Sequence, residues 1–145
     1  MSMFKIFDIA GSAMSAQSVR LNATASNLAN ANSVAGSAAA AYRSRQPVFQ
    51  TVMAGMGAGA GAGAMADPAS AGVRVAGVVQ TDAAAPRVYQ PGHPSADAEG
   101  YVYMSNVNVV DEMVNMISAS RSYENSVEVM NTSKELLLRT LSIGQ

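Results

Sequence analysis

Large apolar side chains recur every seven residues at both ends of the chain. Near the amino terminus four positions follow this spacing: Phe7, Met14, Leu21 and Leu28. Near the carboxyl terminus five positions follow it: Val109, Met116, Tyr123, Met130 and Leu137. A seven-residue repeat places side chains on one stripe of an α-helix and is typical of coiled coils. The pattern therefore predicts two packing helices, and it favours assembly over catalysis.

Companion positions complete each predicted seam: Phe4, Gly11, Ser18 and Ala25 in the first helix, and Met113, Ser120, Val127, Lys134 and Leu141 in the second. Further apolar residues of the second helix fall outside its seam: Val110, Val114, Ile117, Val129, Leu136 and Leu138. This apolar surface is wider than a contact between two helices requires. We expect it to pack between subunits, and an ordinary helical-hairpin core stays open as the alternative.

Polar residues mark the predicted ends of both helices. The first helix is expected to end near Ala31, because asparagine and serine side chains compete with helical hydrogen bonds after Asn27. The second is expected to begin after Asn108, a candidate N-cap, and to run to about Ser142. The predicted organisation is a helical segment 1–34 and a helical segment 106–145, which pack as one domain, with residues 35–105 between them.

The central segment predicts a small, loop-rich β region. Four short strands are expected: 48–53, a run around 73–79, 87–90 and 101–104. The Gly-Ala repeat at about 54–66 lacks aromatic and β-branched residues, so we expect a mobile loop there. The predicted fold is therefore mainly α, with the N- and C-terminal helices paired as a coiled coil and a small β region between them.

Composition and charge narrow the classes of function. The chain has 145 residues, 9 Lys and Arg against 10 Asp and Glu, and no Cys. No run of one charge is present, which argues against nucleic acid or an anionic membrane as a partner. The uncharged stretch 48–66 is too rich in glycine for a membrane span. The first thirty residues lack the pattern of a cleaved signal peptide, so any export is expected to use another route.

Residues able to carry chemistry are few and scattered. His93 is the single histidine and lies in a turn without a nearby second ligand, so neither a metal site nor a catalytic base is expected. The Gly-Ala repeat lacks the Gly-Lys-Ser/Thr sequence of a phosphate-binding loop. We expect no catalytic residue and no cofactor. An enzyme acting on the cell wall would need a loop carboxylate such as Asp97 or Glu99.

The segment 25–32, ASNLANAN, resembles the N-terminal signature of bacterial flagellar rod and hook proteins. The resemblance covers both ends of the chain and most of the middle. Other segments that carry it are 7–14, 89–102 and 106–145, with the most telling runs at 113–123 and 128–132.

The resemblance implies a structural subunit of the proximal rod of the flagellar basal body. Such proteins are exported through the flagellar type III apparatus without a cleaved signal peptide. They pack helically into a tubular drive shaft that spans the periplasm and transmits torque for motility. Implied partners are copies of the chain, other rod proteins, the base ring, the export apparatus and hook-basal-body proteins, without nucleic acid and without membrane insertion.

The expected assembly interface combines the two seams with two asparagines of the signature: Phe4, Phe7, Met14, Leu21, Asn27, Leu28, Asn30, Val109, Met113, Met116, Tyr123, Val127, Met130, Leu137 and Leu141. The competing hypothesis is a secreted helical-hairpin effector that binds a foreign partner. It predicts a stable monomer, whereas a rod subunit should polymerise.

Overall fold

The computed structural model describes residues 3–53 and 71–143. Within them the chain forms two helices, α1 (Met3–Ala29) and α2 (Val109–Ile143). Five strands lie between the helices: β1 (Val34–Ala35), β2 (Arg45–Met53), β3 (Ala71–Gln80), β4 (Arg87–Tyr89) and β5 (Tyr101–Met104). The Gly-Ala segment predicted to be mobile, 54–66, lies outside the described residues.

Side-chain hydrogen bonds explain where the helices end and begin. At the end of α1, the Asn30 side-chain amide donates to the Ser26 carbonyl at 2.8 Å, and the Ser33 hydroxyl donates to the Asn30 carbonyl at 2.7 Å. These bonds satisfy carbonyls at the helix end. At the start of α2, Asn108 Oδ1 accepts the Val110 N–H at 3.1 Å, which confirms Asn108 as the predicted N-cap.

Three strands form an antiparallel sheet in the order β1-β5-β4. Tyr103 of β5 lies between Ala35 of β1 and Arg87 of β4, while Val102 pairs with Val88. Alternate side chains of a strand point to opposite faces, and Val102 is fully buried. The face of this sheet that carries Val102 is therefore buried, and the opposite face carries Tyr101 and Tyr103.

The second sheet is a ribbon of two strands, β2 and β3, which are nine and ten residues long. We expected the first of these strands to start after Pro47, but β2 already begins at Arg45. A proline removes one ladder donor and is tolerated on an edge strand. Both strands of a two-stranded sheet are edges, so Pro47 does not interrupt this one.

The fold comprises two compact units, each built from separate stretches of the chain. The described part of one unit is residues 3–19, 48–53, 71–77 and 119–143, and its buried apolar residues are Ala10, Ala16 and Ala119. The other unit is residues 20–47 and 78–118, with Ala23, Ala31, Ala41 and Val102 buried. Small side chains thus dominate the buried positions of both units.

The prediction of a mainly α protein with its terminal helices paired as a coiled coil is wrong. Five strands accompany the helices, and two of them are as long as strands of a substantial sheet. A coiled-coil seam buries large apolar side chains as knobs. Instead, the helices bury alanines, while the seam residues Tyr123 and Leu141 are exposed. The repeat fixes which side chains share a stripe, but the surroundings determine what that stripe contacts.

Candidate assembly surfaces

The start of α2 exposes a stripe of four apolar side chains. We call it the α2 stripe: Val110, Met113, Val114 and Ile117, each more than half exposed. Their i, i+3, i+4, i+7 spacing places them on one helix face, which an ordinary globular protein turns toward its core. Contiguous exposed apolar surface of this kind marks an interaction site.

A second exposed apolar group lies further along the same helix. It consists of Val129, Leu136, Leu138 and Leu141, with about half or more of each residue accessible. Single exposed apolar residues are ordinary, but several along one helix are not. In all, ten of the seventeen exposed large apolar residues in the described chain belong to α2. This helix is the principal candidate for contacts with other molecules.

The predicted seam of α2 is unevenly exposed. Val109, Met113, Tyr123 and Leu141 are exposed, whereas the remaining seam residues of the predicted interface are half-buried: Met116, Val127, Met130 and Leu137. The structure therefore separates these residues into an accessible group and a partly covered group.

The predicted seam of α1 is mostly covered. Phe4 is 74% exposed, but Phe7, Met14, Leu21 and Leu28 are half-buried. Of the two predicted asparagines, Asn30 is half-buried and Asn27 is fully buried. Apart from Phe4, α1 offers less apolar surface than α2.

A cleft of about 360 Å³ lies between α1 and α2. Its lining residues are Ile6, Ile9, Ala10 and Ala13 from α1, and Asn125, Ser126 and Val129 from α2. None of the lining residues of α1 belongs to the predicted seam. The cleft thus adds to the case against a coiled-coil seam between these helices.

A buried polar side chain, Asn27, fixes the end of α1. Its Oδ1 accepts the Arg45 N–H at 2.9 Å and the Tyr42 hydroxyl at 3.0 Å. Its Nδ2 donates to the Arg45 carbonyl at 2.9 Å and to Ser44 Oγ at 3.3 Å. All the hydrogen-bonding capacity of this amide is directed at residues 42–45, so it holds that segment against the helix.

Ser44 extends this network to the start of α2. Its N–H donates to Asn106 Oδ1 at 2.7 Å, and Asn106 Nδ2 donates to the Ala83 carbonyl at 2.9 Å. The Ser44 hydroxyl lies 3.5 Å from Oε1 of the buried Glu112, in the first turn of α2. The network thereby links the end of α1 to the turn that carries Val110 and Met113.

The solvent side of the three-stranded sheet carries three tyrosines and an arginine. We call it the outer sheet face: Arg87, Tyr89, Tyr101 and Tyr103, which alternate with Val88 and Val102 along β4 and β5. The rings of Tyr89 and Tyr101 meet edge to face, with centroids 5.1 Å apart. The Arg87 guanidinium lies 3.8 Å from the Tyr101 ring centroid, within cation–π range.

Two carboxylates hold Arg87 in place on the outer sheet face. Its Nη2 lies 2.5 Å from Glu99 Oε2 and 3.5 Å from Asp97 Oδ2. The hydrogen bond to Glu99 raises the pKa of Arg87 above its usual value. Asp97 Oδ1 accepts the N–H groups of Tyr101 at 2.8 Å and Glu99 at 3.0 Å, and chiefly the Tyr101 bond lowers the pKa of Asp97.

Sequence reasoning identified β4 and β5 but missed their outer face and the buried network. The alternation Tyr101-Val102-Tyr103 was a usable signal, because a period of two assigns both tyrosines to one face. The network offered no such signal, since Asn27, Ser44 and Glu112 lie far apart in sequence. Only the fold brings them together.

Other chemistry has little support within residues 3–53 and 71–143. In this part of the chain no three His, Cys, Asp or Glu side chains are grouped so as to hold a metal ion. His93 Nδ1 accepts the Ser95 N–H at 3.1 Å and so takes part in its own turn. Among the described helices, none is long and apolar enough to cross a membrane.

Family models match both ends of the chain. The model described as "Flagella basal body rod protein" matches residues 7–37, and the model described as "Flagellar basal body rod FlgEFG protein C-terminal" matches residues 98–143. These segments include most of α1 and all of α2. The class of protein they define is that of the flagellar basal-body rod proteins.

Individual relatives indicate which family of rod proteins the chain belongs to. The flagellar basal-body rod protein FlgC of Salmonella typhimurium is 52% identical, that of Escherichia coli O6:H1 is 54% identical and that of Yersinia enterocolitica is 55% identical. In each case the alignment covers all of both chains. The chain belongs to the FlgC family of flagellar basal-body rod proteins.

Family membership settles the broad function. The chain is a structural subunit of the flagellar basal-body rod and not an enzyme, and it assembles with other rod components. The resemblance seen at residues 25–32 and in α2 is thereby confirmed. The alternatives of a secreted effector and of an enzyme acting on the cell wall do not fit this family.

Proposed function

We propose that this rod subunit joins its neighbours through the apolar surface of α2. The α2 stripe and the group Val129, Leu136, Leu138 and Leu141 are the contacts, together with Phe4 of α1. By its resemblance to the proximal rod proteins, the subunit reaches the periplasm through the flagellar type III apparatus. There it forms part of a tubular shaft, with segments 1–34 and 106–145 inside and 35–105 making outer contacts.

The observation that carries this proposal is the uneven burial of α2. Among its described side chains, only Glu112, Ala119 and Ser133 are buried, whereas ten large apolar residues are exposed. Burying a fully exposed large apolar side chain contributes about 1.5–3 kcal/mol, and these residues are about half exposed, so covering each one contributes roughly half of that. Several covered together can offset the loss of freedom on association, which costs at least several kcal/mol.

The buried network supports the proposal by holding the α2 stripe in a defined position. Glu112 lies between Val110 and Met113 on the first turns of α2, and its carboxylate reaches Ser44. Ser44 is in turn held by Asn27 and Asn106. A stripe fixed in the free subunit loses less conformational freedom on binding.

The experiment that tests the proposal introduces a charge on the α2 stripe. Ile117→Asp is compared with Asn131→Asp, which adds the same charge at an exposed polar position of the same helix. Each variant replaces the native chain in cells, and its amount in purified basal bodies is measured beside swimming. An aspartate in a covered interface leaves an unpaired charge out of water, so Ile117→Asp should be absent from basal bodies.

The matched control determines what the result means. Asn131→Asp should enter basal bodies at the native level, which would show that a negative charge on α2 is not harmful by itself. Circular dichroism of the two purified variants should show that they fold equally, so that a difference in incorporation reflects assembly and not misfolding. Native incorporation of Ile117→Asp would contradict the assignment of the α2 stripe.

A further inference from the structure

We propose that the outer sheet face docks a basic side chain, arginine or lysine, presented by a neighbouring subunit of the rod. The inference rests on the proposed function, since it takes assembly with neighbours as given. It adds a second contact on a different element from the α2 stripe, and it specifies the chemistry of the partner.

The composition of the outer sheet face is that of an energetically important contact. Tyrosine and arginine are enriched where a few residues supply most of the binding energy. Here Tyr89, Tyr101 and Tyr103 stand together with Arg87, while Val88 and Val102 occupy the opposite face of the same strands. Tyr89 is 62% exposed, which leaves it accessible to a partner.

The groups of the outer sheet face contact one another within the subunit. Tyr89 packs edge to face on Tyr101, and Arg87 stacks on Tyr101 while it bonds to Glu99. Asp97 fixes the turn by accepting two backbone N–H groups. Side chains already held in one conformation lose little entropy on binding, which favours docking at this face.

The charge of this cluster selects a cationic partner. One arginine faces two carboxylates, Asp97 and Glu99, which leaves a net charge of −1. The Glu99 side chain is 72% exposed and retains lone pairs for a second donor. A guanidinium or ammonium group placed over the Tyr89 ring gains a cation–π contact and balances the surplus charge. A neutral polysaccharide would leave that charge uncompensated.

The test places a photo-reactive amino acid, p-benzoylphenylalanine, at position 89 in cells that assemble flagella. Basal bodies are purified after irradiation, and cross-linked peptides are identified by mass spectrometry. We expect a cross-link to a rod subunit, a second copy or another rod component, on a segment containing arginine or lysine. The same probe at Ala84, an exposed residue outside the outer sheet face, should give at most one tenth of that yield.

Charge variants provide the second measurement. In competition with the native chain, Glu99→Gln should enter basal bodies about fivefold less, and Glu99→Lys less still. Glu128→Gln removes one exposed carboxylate from α2 and should compete equally with the native chain. Equal competition by both Glu99 variants would overturn the charge requirement.

The outcomes separate this inference from the proposed function. The docking site is overturned if the chain is present in basal bodies at its native level but gives no cross-link at position 89. That result would not affect the proposed role of α2. A cross-link to cell-wall glycan overturns the protein partner. If the probe at position 89 prevents incorporation, the exposed Ala98 beside Glu99 takes the probe instead, with the same expected partner.

Discussion

The side-chain amide of Asn27 pairs with both backbone polar groups of Arg45. Its Oδ1 accepts the Arg45 N–H and its Nδ2 donates to the Arg45 carbonyl, both at 2.9 Å. The amide thus makes the pair of bonds that a neighbouring strand would make with β2. In this way α1 is joined to the first residue of a strand by side-chain hydrogen bonds.

Replacing Asn27 with alanine should lower the free energy of unfolding by about 2–3 kcal/mol. The change removes the side-chain partner of the Arg45 N–H and carbonyl, and a polar group left without a partner costs about 1–3 kcal/mol when buried. The Tyr42 hydroxyl loses one of two partners and keeps Ser26 Oγ at 3.1 Å. Urea denaturation of the purified subunit measures the effect. Asn30→Ala is the control, because it removes one bond to the Ser26 carbonyl at a half-buried position and should cost about 0.5–1.5 kcal/mol.

The Ser44 hydroxyl should stabilise the folded subunit more when Glu112 carries its carboxylate than when that carboxylate is removed. Oε2 of Glu112 is buried without a hydrogen-bond partner, and Oε1 has Ser44 Oγ at 3.5 Å. Ser44→Ala should therefore destabilise the subunit by about 1–3 kcal/mol, because it removes a donor from a buried charge.

A double-mutant cycle provides the measurement for Ser44 and Glu112. Denaturant midpoints are compared for Ser44→Ala, Glu112→Gln and the double variant. The cost of Ser44→Ala should shrink in the Glu112→Gln background, since a neutral amide needs the hydroxyl less. Strict additivity of the two changes would show that the hydroxyl does not stabilise this carboxylate.

Gly100→Ala should destabilise the connection between β4 and β5. Gly100 has a φ of 81°, a region that alanine adopts with strain, and an added Cβ would lie 3.0 Å from Tyr89 Cε2. A residue forced into such a conformation costs about 1–3 kcal/mol. Thermal unfolding tests this, with Gly92→Ala as the control, because an added Cβ at Gly92 would lie more than 4 Å from every atom of the described residues other than its own chain neighbours. Equal midpoints for the two variants would contradict the prediction.

The turn at Asp97 should lose stability only in acid. The pKa of Asp97 in the folded chain lies below its ordinary value of 3.8, so folding favours the charged form. Its contribution is therefore complete above pH 3.8 and disappears as the pH falls through the lower folded value. Nuclear magnetic resonance of the Tyr101 amide should follow this titration. In Asp97→Asn the acid-dependent change should vanish, and persistence of the same transition would assign it to another group.

The sequence by itself determined the local structure and the family. Asn108 caps α2 by accepting the N–H of Val110, two residues further along the chain. The alternation of residues at Tyr101–Met104 defines β5. Both signals act over a few residues, so they can be read from the sequence. The run at 25–32 and the segment 113–123 carried the family resemblance. Helix α2 begins at the predicted position after Asn108 and ends one residue beyond the predicted Ser142, whereas α1 ends at Ala29, two residues before the predicted Ala31.

Only the tertiary structure decided what these elements contact. The heptad repeat indicated a stripe on each helix, but the fold buries alanines such as Ala10 and Ala119 and leaves Tyr123 exposed, so the predicted coiled coil does not form. Asn27 finds its partners 15 to 18 residues along the chain, and Ser44 meets Glu112 across 68 residues. Contacts at such separations depend on where the chain returns in space, which no local pattern of residues encodes.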